Sequence, residues 1–172
     1  ALTRLDGFLK SAYEKTGSEY DGFFITDKNG VILSNNTGGK IRDKQINLSG
    51  RDYFKAAAAG KAIVGHPVKS KMSGAPVVVF SAPLKTKNGT FSGVLGIVYK
   101  LDTFSSKLTS IKLGETGYPF MTDKNGIIIA HPKKEYIFKL DLKTLKGMEE
   151  ITRRMMAGET GNETYTFKGT DK

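Results

Sequence analysis

Ile25-Thr26-Asp27-Lys28-Asn29-Gly30-Val31-Ile32-Leu33 is answered later in the chain by Met121-Thr122-Asp123-Lys124-Asn125-Gly126-Ile127-Ile128-Ile129. The two copies lie 122 − 26 = 96 residues apart, counted from Thr26 to Thr122. Each sets apolar residues before an Asp-Lys-Asn-Gly turn and a β-branched run after it. That pattern predicts a β-hairpin, with Asn-Gly tolerating positive φ at both turn positions. Two hairpins of one design should open two similar units. A period near one hundred is too long for a solenoid and fits two tandem copies of a small α+β module.

The 172 residues, 38% of them hydrophobic, can fill one large core or two small ones. No apolar run approaches the roughly 20 residues of a membrane span, and no signal peptide stands at Ala1. The first residues are already helix-patterned and residues 169–172 stop in mid-pattern, so the chain reads as a piece of a longer membrane protein. Lys and Arg outnumber Asp and Glu by 27 to 17, a net charge of +10 that favours anionic partners. Yet the lysines are scattered, and the densest stretch, residues 139–146, alternates with Leu. This is the pattern of a solvated basic surface and not of a nucleic-acid interface. The absence of Cys removes thiol catalysis, disulfides and Cys-type zinc sites, and decides nothing about compartment.

Leu2, Leu5, Phe8, Leu9, Ala12 and Tyr13 fall at helical spacing, with charged residues opposite, so the chain should open on an amphipathic helix ending near Gly17. Residues 21–26 and 31–34 form the first hairpin. Ser49 is the expected N-cap of a short helix built on residues 56–59 and stopped by Gly60. Strands over 62–70, 76–84 and 91–101 form a meander, giving a five-stranded antiparallel sheet with the hairpin at its side. A short helix over 102–108 crosses to the second unit. There residues 148–157 read as helix and 164–167 as a third strand, leaving the second sheet incomplete.

The order of these pieces resembles the double Cache domain, the extracytoplasmic sensor module of bacterial and archaeal chemoreceptors and sensor kinases. The resemblance covers nearly the whole chain. It is carried by Phe24-Ile25-Thr26-Asp27-Lys28-Asn29-Gly30, by Gly50-Arg51-Asp52-Tyr53-Phe54-Lys55-Ala56-Ala57 and by Gly65-His66-Pro67-Val68-Lys69-Ser70. Ala82-Pro83-Leu84, Gly93-Val94-Leu95-Gly96 and Gly114-Glu115-Thr116-Gly117-Tyr118 leading to Ala130-His131-Pro132 complete it. It implies an α+β fold in which a long N-terminal helix (1–20) carries two PAS-like subdomains. The membrane-distal one (21–108) binds ligand; the membrane-proximal one (109–172) is truncated. It also implies a membrane-anchored receptor with this domain periplasmic or extracellular, no catalysis, no cofactor, and a homodimer as one compatible assembly.

In the amino-acid-binding members an Arg and the aromatic pair after it grip the carboxylate, and a Tyr and two Asp hold the ammonium. Aligned locally, the first group becomes Arg51, Tyr53 and Phe54. The second falls on Val68, Ser70 and Val98, where both carboxylates are lost. A neutral-tailed organic acid is therefore the expected ligand in preference to an amino acid, with His66 as a candidate rim donor. From the residues alone, Arg51 could equally pair with Asp52 or a surface acid, and Tyr53 and Phe54 could be core. His66 and His131, each before Pro, make a weak metal pair and read as structural. No Gly-x-Ser-x-Gly elbow, Walker loop or His-Glu-x-x-His segment is present, and Gly93 and Gly96 read as points of close backbone approach or a bulge within a strand. The alternative to a sensor is a cytoplasmic tandem PAS-type module that mediates dimerisation and binds nothing small.

Overall fold

The computed structural model describes residues 2–164, 166, 167, 170 and 171. It divides into two compact units, 1–101 and 102–172. The crossing helix thus falls with the second unit, whereas the sequence boundary lay after it.

Unit 1 opens with helix α1, Leu2–Glu14. Its apolar stripe is divided: Leu9 is buried, Leu5 is half-buried, and Phe8 stays exposed. A polar clip fixes the helix to the sheet. The Arg42 guanidinium donates to both Asp6 carboxylate oxygens at 2.9 and 2.8 Å, Ser34 Oγ donates to Asp6 at 2.5 Å, and Arg42 Nη1 also reaches the Leu33 carbonyl at 2.7 Å. The hydrogen bonds from Arg42 lead the causes that hold the Asp6 carboxyl below its usual value of 3.8. A carboxyl depressed on folding contributes stability that is full above its unfolded pKa and fades as pH falls through the folded one. Asp6→Asn should therefore lower the thermal midpoint and speed amide exchange in α1 at neutral pH. The difference from wild type should be full above the unfolded carboxyl's value of about 3.9 and fade as pH falls through the lowered folded one.

Strands β1 (Tyr20–Thr26), β2 (Ile32–Asn35), β3 (Ile63–Val64), β4 (Val68–Lys69), β5 (Pro76–Lys85) and β6 (Phe91–Lys100) form an antiparallel sheet. Its order is β2-β1-β6-β5-β3, with β4 also on β5. The hairpin thus sits beside the last meander strand. The expected single strand over 62–70 is two short ones: Gly65 N–H still bonds the Val79 carbonyl at 2.8 Å, but pairing lapses at His66 and Pro67, and Pro67 has no N–H to give a ladder.

Helix α2 runs Asp52–Ala58, with Arg51 as its N-cap residue. Ser49 does not cap it; its hydroxyl donates to Asn47 Oδ1 at 2.6 Å. The helix ends in a Schellman motif: Gly60 (φ 82°) donates to the Ala57 carbonyl at 2.8 Å and Lys61 to that of Ala56 at 3.0 Å. Between α2 and the sheet lies a core that includes Phe24, Ile32, Tyr53, Phe54, Val79 and Val94.

Both Asp-Lys-Asn-Gly turns adopt one structure, and it is not the two-residue turn expected. Gly30 and Gly126 have φ of 87° and 82°, but neither Asn29 nor Asn125 has positive φ. Instead one oxygen of Asp27 accepts the N–H groups of Asn29 and Val31, each at 2.9 Å, and Asp123 does the same for Asn125 and Ile127 at the same lengths. The Asp side chain mimics a backbone turn, and only the glycine must be left-handed.

Unit 2 contains α3 (Leu101–Thr109), of which Leu101 belongs to unit 1, then β7 (Met121–Thr122), β8 (Ile128–Ala130) and α4 (Glu149–Met156). β9 (Thr166–Phe167) pairs with β10 (Thr170–Asp171) and not with the β7–β8 hairpin. The expected strand over 164–167 is thus seen at Thr166–Phe167, while Tyr165 lies outside the described residues. The core gathers Ile128, Ile137, Leu142 and Met148. His131 is buried within a ring of Tyr118, Phe120 and Tyr136 at 5.2, 6.3 and 4.8 Å between centroids, and burial pushes its imidazole pKa down.

The likeness of the two units runs beyond the turns. Leu48 N–H reaches the Gly30 carbonyl at 2.8 Å and Ile32 N–H that of Ile46 at 3.0 Å; Leu142 reaches Gly126 at 3.0 Å and Ile128 reaches Leu140 at 2.9 Å. Leu48 and Leu142 are therefore equivalent, 142 − 48 = 94 residues apart. Three residues on, Arg51 N–H bonds the Leu48 carbonyl and Leu145 N–H that of Leu142. Leucine in unit 2 occupies the place of arginine in unit 1.

Candidate ligand-binding site

A cavity opens in unit 1 between the sheet, the start of α2 and the segment 68–72. Arg51, Tyr53, Val68, Ser70 and Val98 lie on its wall, five of the seven residues singled out in the sequence. Strand β6 brings Val98 in from the floor, β4 brings Val68, and the N-cap residue puts Arg51 where the chain turns into α2. Below them are apolar side chains, among them Phe24, Val77 and Val79.

Phe54 and His66 are not on this wall. Successive helical residues point about 100° apart, so where Tyr53 faces the cavity Phe54 is carried into the core, edge-on to Phe91 at 6.0 Å. Phe54 belongs to the packing of α2 on the sheet. His66 sits outside, in the loop between β3 and β4, with Nδ1 2.5 Å from Asp52 Oδ2.

That contact matters to the site at one remove. Asp52 also accepts the N–H groups of Tyr53 at 2.8 Å and His66 at 2.9 Å. Burial works against its charge, but these bonds and the imidazole outweigh it and hold the carboxyl below its ordinary range. Asp52 is thereby occupied, and Arg51 has no carboxylate partner among the described residues. The Arg51 side chain makes one long bond, from Nη2 to the Lys69 carbonyl at 3.4 Å. A guanidinium at the wall above an apolar floor, with its planar fork open, is matched to a carboxylate.

Tyr53 is 3% exposed, and burial pushes its phenol up to about 12, so the hydroxyl stays protonated and can donate. That hydroxyl has no hydrogen-bond partner among the described residues. Ser70 is less free: its oxygen accepts the N–H groups of Met72 and Ser73, each at 3.2 Å, which shapes the 70–73 turn. That turn is tied to β1 and β2 at two points. Ser73 Oγ donates to Asp21 Oδ2 at 3.0 Å, and Met72 Sδ lies 3.5 Å from Asn35 Nδ2. Asp21 and Met72 also line the cavity, and the sequence reading had singled out neither. Among the described residues no cluster of three His, Cys, Asp or Glu could hold a metal ion.

Unit 1 thus encloses a cavity whose wall carries a guanidinium with no carboxylate partner among the described residues. The family model for the Cache domain matches residues 2–172, and the chain belongs to that family, whose domains bind ligands and are not catalytic. One relative is the methyl-accepting chemotaxis protein TlpB of Bacillus subtilis, 31% identical over 135 residues, which are 75% of this chain and 18% of that protein. The fold is shared with two solved structures. The ligand-binding domain of the Pseudomonas fluorescens chemoreceptor CtaA with L-alanine superposes with a TM-score of 0.70 at 19% identity, covering 98% of this chain and 68% of that one. That of the Pseudomonas aeruginosa amino acid chemoreceptor PctB, with L-arginine, gives 0.67 at 18%, covering 99% and 74%. The chain thus spans under a fifth of the curated relative's length. Among its described residues no helix is long and apolar enough to cross a membrane.

Proposed function

We propose that the chain is the extracytoplasmic sensor domain of a membrane-anchored signalling receptor of the chemoreceptor or sensor-kinase type. Its ligand is a small carboxylate-bearing molecule taken into the unit 1 cavity. The observation that carries the reading is Arg51, a cation on the cavity wall whose neighbouring acid is already held by His66. A carboxylate is common to organic acids and to the amino acids held by the two chemoreceptor domains. Unit 2 has Leu145 in the equivalent place, which argues for unit 1 as the binding unit. Dimerisation through α1 belongs to the same reading, since Leu2 and Phe8 stay exposed along it.

Occupancy shifts a conformational equilibrium only by the ligand's differential affinity for the two states. The turn over 70–73, held to Asp21 and Asn35 by two side-chain contacts, is the part of the wall best placed to differ between them. A thermal-shift screen of organic acids and amino acids tests the reading. A binder at 100 times its dissociation constant adds about 2.7 kcal/mol. Stabilisation only by molecules without an anionic group would refute it.

A further inference from the structure

Sequence alignment leaves the cavity without a carboxylate, and a bulge in β1 restores one. Tyr20 stands opposite Tyr99 and Gly22 opposite Val98, so β1 carries one extra residue at Asp21. In an unbroken strand alternate residues share a face, and Asp21 would point with Phe23 and Ile25, away from the core. A bulge resets that phase and re-aims side chains. Here the Tyr20 ring packs edge-on against Phe23, three positions along, at 5.8 Å, and both Asp21 and Gly22 border the cavity.

We propose that Asp21 is the subsite for a cationic group on the ligand, so that the cavity selects a small zwitterion. Its carboxylate is held by Arg51 and its ammonium by Asp21. The inference rests on the carboxylate reading above and replaces the expected preference for a neutral-tailed acid. Asp21 has no cationic partner among the described residues; its one side-chain bond is the neutral one from Ser73 Oγ. Two lysines border the same space, but Lys71 Nζ is bound to the Asn47 carbonyl at 2.7 Å, and Lys69 is the exposed residue of β4. Neither answers Asp21. An incoming ammonium exchanges the bond from a neutral hydroxyl for a charge-assisted one, which is the stronger kind. A ligand with a neutral tail gains nothing there.

The test is calorimetry on matched pairs: each common L-amino acid against the acid lacking only its α-amino group, and 4-aminobutyrate against butyrate. In the tightest pair the amino form should bind at least about thirtyfold more tightly than its partner. Asp21→Asn, or Asp21→Ser, should weaken the amino form about ten- to a hundredfold and leave the plain acid within about twofold. The wild-type comparison stands alone even where a variant is unstable. If plain acids bind as tightly as their amino partners, and lose binding in Arg51→Ala, the carboxylate reading survives and this inference falls. The inference also falls if the Asp21 variants weaken both members of a pair equally. If no member of any pair binds, both fall.

Discussion

Arg51→Ala should remove most of the ligand affinity while leaving the fold intact. Truncating one partner of a buried, hydrogen-bonded charge pair costs about 2–5 kcal/mol, most of it the cost of leaving the other charge unpaired. The dissociation constant should rise by roughly thirtyfold to several thousandfold. Stability should change by no more than about 0.5 kcal/mol, because the side chain makes only the 3.4 Å bond to Lys69, and the backbone bond to Leu48 survives the substitution. Arg51→Lys should recover only part of the affinity, since an ammonium cannot meet a carboxylate with two parallel donors. Calorimetry with a thermal melt of each variant reads both halves. A variant that binds as wild type places the anion elsewhere.

Gly93→Ala has the largest expected effect on stability. A Cβ at Gly93 would stand 2.0 Å from the Thr26 carbonyl oxygen and 2.9 Å from its carbon, on a backbone with φ of 155°. The obstacle is the main chain of the neighbouring strand, so no rotamer relieves it. β1 and β6 must part, at the point where Val94 N–H also bonds the buried Thr26 hydroxyl at 3.1 Å. The loss should be about 3 kcal/mol or more, lowering the thermal midpoint by roughly 6–12 °C. Gly7→Ala is the natural contrast. It lies within α1 with nothing near its absent Cβ, and alanine there should stabilise by about 0.5–1 kcal/mol. A melt in which the two substitutions behave alike would refute the close approach of β1 and β6.

What could be read from the sequence was local. Asp27 and Asp123 organise turns from within five residues, so both hairpins were legible, although the side-chain bonds that make the turn differ from the Asn-Gly type assumed. The start of α2 was misplaced because Ser49, a good capping residue by type, spends its hydroxyl on Asn47. The equivalence of Arg51 and Leu145 was hidden because the repeat tightens from 96 to 94 residues after the hairpins, and only the bonds to Gly30 and Gly126 reveal it. Phe54 looked like Tyr53's partner in sequence, and helical rotation separates them. Asp21 was out of reach altogether: its direction depends on how Tyr20 and Gly22 pair with residues of β6 that lie far along the chain. A strand's register is set by its partner, and Gly22, a hint of a bulge within the strand, does not say which neighbouring side chain it re-aims.

On the proposed reading a ligand's carboxylate sits on Arg51 in unit 1. The most direct measurement is a crystal structure of the chain with the tightest carboxylate from the screen. Electron density should appear in the unit 1 cavity, with both carboxylate oxygens about 2.7–3.0 Å from the Arg51 guanidinium nitrogens and the Tyr53 hydroxyl facing the ligand. Density in unit 2, or in unit 1 with the carboxylate turned away from Arg51, would contradict it.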